Sequence, residues 1–143
     1  DGRRPRLLLL ELEDDSSADR EKRKQAANAF ADSGWDVDIG PLQSPEDAAR
    51  SAADNDVHFL FYSSSSSGRV KLGIQLAQGL TLYGRDDILI AIHQVKEEEK
   101  GALFRYGIIC AFDEEYDYLQ ASLTMLRILI AREKEEAETA DSY

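Results

Sequence analysis

Short apolar runs alternate along the chain with longer stretches in which apolar and polar residues mix. Continuous apolar runs of this kind are typical of strands buried on both faces of a parallel sheet. The second segment instead alternates apolar and acidic residues, as an edge strand does. The pattern predicts strands at residues 7–10, 35–39, 57–62, 88–92 and 108–112.

The stretches between these runs carry helix signals. Ser44, Pro45 and Glu46 combine a capping hydroxyl, a proline in the first turn and an acid near the positive end of the helix dipole. Helices are predicted at residues 19–33, 44–54, 70–83, 96–106 and 118–136. The predicted apolar stripe of the last helix includes Leu119, Leu123, Leu126 and Ile130.

Strict alternation of strand and helix predicts a parallel sheet covered by helices on both faces, joined by right-handed crossovers. We expect an α/β, flavodoxin-like, doubly wound domain with five strands in the order 2-1-3-4-5. Residues 1–136 form one domain in this interpretation, and residues 137–143 form a polar C-terminal tail. Ligands of such folds bind at the carboxyl ends of the strands, so the loops after strands one, three, four and five are the candidate site.

Composition narrows the classes of partner. The 143 residues carry a formal net charge of -11, which argues against nucleic acid and anionic membranes and suits a protein partner. No apolar stretch approaches the roughly 18 residues of a membrane-spanning helix, so no membrane insertion is expected. The one cysteine, Cys110, excludes an internal disulfide framework and favours a reducing compartment.

Four segments carry a family resemblance. They read Gly-Arg-Arg-Pro-Arg-Leu-Leu at 2–8, Ala-Phe-Ala-Asp at 29–32, Asp-Val-Asp-Ile-Gly-Pro-Leu at 36–42 and Asn-Asp-Val-His at 55–58. Together they resemble the C-terminal cobalamin (vitamin B12)-binding domain of methylmalonyl-CoA mutase. By resemblance to the eukaryotic mutase, the expected location is the mitochondrial matrix or another reducing, soluble compartment.

The loop after the first strand departs from that family. The family's Asp-x-His-x-x-Gly motif supplies a histidine that replaces the cofactor's own base beneath cobalt, and a carboxylate that orients it. Residues 13–21 read Glu-Asp-Asp-Ser-Ser-Ala-Asp-Arg-Glu and contain no histidine or glycine. Carboxylates are harder ligands than imidazole, so no metal site is expected, and the acids are expected to cap the following helix.

The other loops match the family unevenly. Ser63, Ser64 and Gly68 match the loop after strand three, which in the family lies along the cofactor's nucleotide tail. His93 and Gln94 stand where the family has Gly-Gly, and their side chains would take space that the tail needs. Acids at 113–115 replace a neutral turn after strand five. The candidate cofactor-binding residues are therefore Ser63, Ser64, Gly68 and His93, a degenerate cobalamin edge with no catalytic residue.

These departures favour a non-catalytic structural or accessory subunit. It would take no cofactor and act by protein–protein interaction in a larger assembly, because the chain lacks the mutase's catalytic barrel. One alternative is a cobalamin-binding subunit without a histidine ligand, in which water or the cofactor's own base completes the cobalt coordination. A second alternative is an engineered serine hydrolase that uses His93, a serine from 63–67 and an acid from 113–115.

Overall fold

The computed structural model describes residues 4–12, 16–41 and 44–141. Within them a single sheet contains five parallel strands in the order β2-β1-β3-β4-β5, which confirms the predicted fold class and topology. The strands are β1 Arg6–Glu11, β2 Asp36–Pro41, β3 Phe59–Ser63, β4 Leu89–His93 and β5 Cys110–Phe112.

Helices connect successive strands and cover both faces of the sheet. They are α1 Ser17–Asp32, α2 Pro45–Asp54, α3 Arg69–Leu82, α4 Lys100–Arg105 and α5 Tyr118–Asp141, with a 3₁₀ turn at Glu97–Glu99 before α4. The N-terminal signals act as the sequence indicates: the Ser44 hydroxyl accepts a hydrogen bond from the Asp47 amide at 3.0 Å. Ser16 caps α1 in the same way, through the Asp19 amide at 3.1 Å.

Alternate residues of each central strand pack in two separate hydrophobic cores, one on each face of the sheet. In β1, Leu7 and Leu9 pack with α1 and α5, whereas Leu8 and Leu10 pack with α2 and α3. All four leucines are at most 3% exposed. A strand buried on both faces needs no polar alternation, which is why the continuous apolar runs identify the central strands.

The core under α1 and α5 is aromatic. Phe30 packs edge-to-face on Trp35 and Phe61, with ring centroids 5.9 and 4.9 Å apart. The buried Trp35 indole donates a hydrogen bond of 2.8 Å to the Ser122 hydroxyl of α5. This bond satisfies a donor that would otherwise be buried without a partner.

The buried face of α5 differs from the predicted stripe. Leu119 is 47% exposed and Ile130 is 63% exposed, whereas Ala121, Ser122 and Met125 are fully buried. Part of the predicted stripe is confirmed, because Leu126 packs against the aromatic core. The core beneath α5 is otherwise covered by Ala121, Ser122 and Met125 rather than by Leu119 and Ile130.

Several boundaries also differ from the sequence pattern. The last strand begins at Cys110 rather than at residue 108, and α5 continues through Asp141, past Glu136 and into the predicted tail. The burial of Cys110 raises the pKa of its thiol to about 12, so the thiol stays protonated. No helix among the described residues is long and apolar enough to cross a membrane.

Candidate functional site

Ser63 and His93 lie side by side at the carboxyl edge of the sheet. They are the last residues of β3 and β4, and the parallel register pairs them directly. The Ser63 hydroxyl lies 3.0 Å from His93 Nδ1. Ser63 is 7% exposed and His93 is 2% exposed, so the edge is closed over this pair.

Gln94, the residue after β4, fills the space beside the pair. Its amide nitrogen donates to the Ser63 hydroxyl at 2.9 Å and to Asp19 Oδ1 at 3.0 Å. Its amide oxygen accepts from Lys22 Nζ at 3.1 Å. The backbone of Gln94 has φ +71°, in the left-handed region that side chains other than glycine rarely occupy.

Asp19 anchors the network from the first turn of α1. Its second oxygen, Oδ2, accepts from the Ser65 hydroxyl at 2.8 Å. Burial favours the neutral acid, but hydrogen bonds from Gln94 and Ser65 outweigh burial and hold the pKa of Asp19 below its ordinary value. The residue is therefore a buried carboxylate held by neutral donors.

The network assigns the tautomer of His93. The Tyr116 carbonyl, 3.2 Å from His93 Nε2, can only accept, so Nε2 carries the proton and donates to it. His93 Nδ1 is then the acceptor of the hydrogen bond that the Ser63 hydroxyl donates. Burial lowers the pKa of His93, so the ring is neutral at pH 7.

Tyr118 covers the histidine. The two rings lie 4.8 Å apart between centroids. Burial raises the pKa of Tyr118 to about 12, and the nearby Ser63 hydroxyl opposes this with a smaller effect. The phenol oxygen of Tyr118 is buried and has no hydrogen-bond partner among the described residues.

Short-range hydrogen bonds hold the conformation of the serine-rich loop at residues 63–68. The Ser64 hydroxyl accepts from the Ser66 amide at 3.1 Å, and the Ser66 hydroxyl accepts from the Gly68 amide at 3.2 Å. Ser64 is buried, whereas Ser65, Ser67 and Gly68 are exposed. The loop therefore presents an exposed rim above the closed edge.

The structure brings together only part of the sequence-predicted site. Ser63 and His93 are in contact, while Ser64 and Gly68 lie along the adjoining loop. Residues 13–15 of the loop after β1 lie outside the described residues, so the loss of the histidine motif there stays a prediction. The predicted role of the four residues toward a cofactor also stays a prediction.

Sequence patterns did not predict three residues of the network as part of the site: Asp19, Lys22 and Gln94. Gln94 was considered only as an obstruction, and Asp19 only as a capping acid. Their shared signal is weak, because a polar residue after a strand and a charged first helical turn are common. Their contact depends on α1 and β4 meeting at the edge of the sheet.

The arrangement lacks the parts of a serine hydrolase. The Ser63–His93 pair has hydrogen-bond geometry, but the partner of His93 Nε2 is a backbone carbonyl rather than an acid. Asp113, Glu114 and Glu115 are exposed, and Glu114 pairs with Lys22 at 3.3 Å. The described residues also contain no cluster of three histidine, cysteine or acidic side chains that could hold a metal ion.

The sequence is similar to curated mutases over most of its length. It is 41% identical over 114 residues to the methylmalonyl-CoA mutase large subunit of Streptomyces virginiae, covering 78% of this chain and 15% of that protein. It is 36% identical over 132 residues to that of Porphyromonas gingivalis, covering 91% of this chain and 18% of that protein. The chain is homologous to a segment of methylmalonyl-CoA mutase. This finding confirms the predicted relation to the cobalamin-binding domain of that enzyme.

The mutase homologue spans less than a fifth of the length of these relatives. A third relative, the mitochondrial methylmalonyl-CoA mutase of Mus musculus, is 46% identical over 91 residues, which are 63% of this chain and 12% of that protein. No family model matches the chain.

Solved structures of low sequence identity share the fold. A cobalamin-binding protein from Desulfitobacterium hafniense superposes with a TM-score of 0.67 at 15% identity, over 87% of this chain and 58% of that one. The signal receiver domain of the response regulator NarL from Mycobacterium tuberculosis also gives 0.67, at 9% identity over 87% and 95% of the two chains. Identities this low establish the fold alone.

The prediction that the homologue takes no cofactor is wrong. Its sequence relatives are methylmalonyl-CoA mutases, to whose cobalamin-binding domain the chain is related, so the comparisons point to cobalamin. The departures in the loops indicated a lost site, but substitutions around a site can change how a ligand is held without abolishing its binding.

The carboxyl edge fits one part of cobalamin and not another. The rim residues Ser65, Ser67 and Gly68 are exposed, so a ligand could contact them from solvent. The buried floor between β3 and β4 is filled by Gln94 and His93, so it has no room for an inserted nucleotide tail. His93 has both ring nitrogens engaged, and His58 lies just before β3, at the opposite end of the sheet.

Proposed function

We propose that the chain is a cobalamin-binding domain that holds the cofactor without a histidine ligand of its own. The observation that carries this proposal is the sequence relation to methylmalonyl-CoA mutase across most of the chain. The carboxyl edge is consistent with a domain that supplies no side chain to cobalt, since the imidazole of His93 is buried and both of its nitrogens are already hydrogen-bonded. Water or the cofactor's own base would then complete the coordination of cobalt.

The exposed rim is the part of this chain that would contact the cofactor. Ser67 offers a hydroxyl group, and Gly68 leaves the backbone open at the start of α3, where the helix dipole favours a phosphate. When bound, cobalamin supplies the radical chemistry of its enzymes. The chain's own residues bind and orient it.

We further propose that the domain acts only together with a larger partner. The chain corresponds to less than a fifth of its mutase relatives, so the substrate-handling part would come from another domain or subunit. The chain alone is then not an enzyme, and its acidic surface suits a protein partner. A native mass that matches the free chain in its cell of origin would contradict this part of the proposal.

The proposed location is the mitochondrial matrix. The mouse relative is a mitochondrial protein, and the single buried Cys110 suits a reducing compartment. Fractionation of source cells, with a matrix marker as reference, would test it. Recovery outside the mitochondria would contradict the proposed location and leave the binding proposal intact.

Binding is tested by gel filtration after mixing the protein with excess hydroxocobalamin. We expect a red complex that co-elutes at one cofactor per chain. Ser67→Glu adds a negative charge to the rim and should weaken binding about fivefold, from roughly 1 kcal/mol of repulsion of the cofactor's phosphate. Gln75→Glu adds the same charge on the exposed face of α3, away from the rim, and should leave the affinity unchanged.

A colourless protein peak at saturating hydroxocobalamin would rule out the proposed function. Equal weakening by the Ser67 and Gln75 variants would instead place the cofactor away from the rim.

A further inference from the structure

A left-handed backbone and a complete set of hydrogen bonds coincide at Gln94. Its φ of +71° disfavours a residue with a side chain, yet the side chain is held in place rather than replaced by glycine. Gln94 is 8% exposed, and its amide group contacts three residues from β3 and α1. Strain of this kind persists where surrounding contacts fix the conformation, and such strain clusters at functional positions.

The hydrogen bonds of Gln94 connect the two sides of the carboxyl edge of the sheet. On one side the amide nitrogen reaches the Ser63 hydroxyl at the end of β3, and on the other it reaches Asp19 in α1. Lys22 closes the remaining side by donating to the amide oxygen and to Glu114. The side chain therefore joins the helix on one face of the sheet to the central strands and covers the buried Ser63–His93 pair.

We propose that Gln94 is a plug that determines how this domain holds its cofactor. By filling the floor of the edge, it keeps the nucleotide tail out of the fold, so the cofactor's own base stays on cobalt and the ligand is held at the rim. Gln94 is a specificity-determining residue in this account and takes no part in chemistry. The inference rests on the proposed cobalamin binding.

The two properties to compare are affinity and coordination state. Cobinamide is the corrin ring of cobalamin without the nucleotide tail and its base. If the tail stays outside the domain, the wild-type protein should bind cobalamin and cobinamide with affinities within about threefold of each other. The absorption spectrum of methylcobalamin should remain that of the form with its base on cobalt.

Gln94→Gly removes one of the two side chains that fill the floor, and glycine suits the left-handed backbone. We expect this variant to bind cobalamin about tenfold more tightly than the wild type, because the aromatic base becomes buried. Cobinamide affinity should not change, and the methylcobalamin spectrum should shift to that of the form with its base displaced.

Asp56→Gly is the matched control. Asp56 is also a non-glycine residue with a left-handed backbone, at φ +52°, but it lies before β3 at the opposite end of the sheet. The same change of backbone strain there should alter neither the affinity ratio nor the spectrum. Gln94→Asn provides a second variant, since asparagine tolerates this backbone and shortens the plug; we expect a smaller shift in the same direction.

The outcomes separate the plug from the proposed function. A displaced base in the wild-type complex, or an unchanged ratio and spectrum in Gln94→Gly, would overturn the plug while leaving cobalamin binding established. If the wild type binds neither corrinoid, the proposed function fails, and the plug that rests on it fails too. Absence of binding in both proteins, or loss of folding in both Gln94 variants, would overturn it.

Discussion

Gly73 shows how closely α3 approaches the sheet. A Cβ atom at this position would lie 2.8 Å from Ile92 Cδ1 and 2.9 Å from the Tyr62 hydroxyl oxygen. The Tyr62 hydroxyl donates a 2.6 Å hydrogen bond to the Arg69 carbonyl, so it cannot move away freely. The glycine is therefore required for packing, although helix propensity disfavours it.

Gly73→Ala should lower the free energy of unfolding by about 1–3 kcal/mol, because the added methyl group overpacks the core. Gly101→Ala in α4 is the control, since a Cβ atom added there would meet nothing within 4 Å. The control should raise stability by up to about 1 kcal/mol through helix propensity. Urea denaturation measures both, and equal effects of the two changes would contradict the packing argument.

At the same scale, residue type and position were enough to predict that Ser63 and His93 lie at the same edge of the sheet. Each ends a buried strand, and the carboxyl ends of parallel strands meet at one edge. The orientation of their side chains was not predictable, because it depends on Gln94, Asp19 and Lys22. Gln94 and Asp19 are 75 positions apart in the chain and touch only in the folded protein.

Helix starts were the most predictable elements. The capping serine, the proline and the acids before α2 act locally, within one turn, so the sequence determines them without knowledge of the fold. The burial of α5 was the opposite case. Several of its faces are apolar enough to be buried, and the aromatic core beneath it selected the face with Ala121, Ser122 and Met125.

Ser44→Ala removes the cap of α2 and should cost about 1 kcal/mol of unfolding free energy, because the Asp47 amide loses its acceptor. Ser44→Asn restores a capping oxygen and should recover most of the loss. Thermal or urea denaturation of the three proteins tests this expectation. Failure of asparagine to rescue would show that the serine acts through something other than the cap.

For the whole molecule, the buried polar edge links stability to pH. Burial lowers the pKa of His93, with Lys22 adding to the effect and Asp113 and Glu114 opposing it. The unfolded chain takes up this proton as the pH falls through about 6.5, whereas native His93 takes it up only at a lower pH. The contribution of His93 to stability is therefore complete above pH 6.5 and is lost as the pH falls toward the lowered native pKa.

The expected decline is at most about 1.4 kcal/mol per pH unit. His93→Gln should remove this part of the slope when urea midpoints are compared from pH 7.5 downward. The lowered pKa of Asp19 adds a separate loss of stability near and below pH 3.8, as that carboxylate becomes protonated. An unchanged slope in His93→Gln would show that His93 is not the group responsible.

The sequence by itself determined the strand and helix order, the sheet topology and the relation to methylmalonyl-CoA mutase. Those features follow from local periodicity, chain connectivity and residue identity, all of which can be read directly from the sequence. Only the tertiary structure decided which face of α5 is buried and that Gln94 closes the carboxyl edge. Both depend on the space and hydrogen-bond partners that distant segments supply, and no local pattern encodes that space.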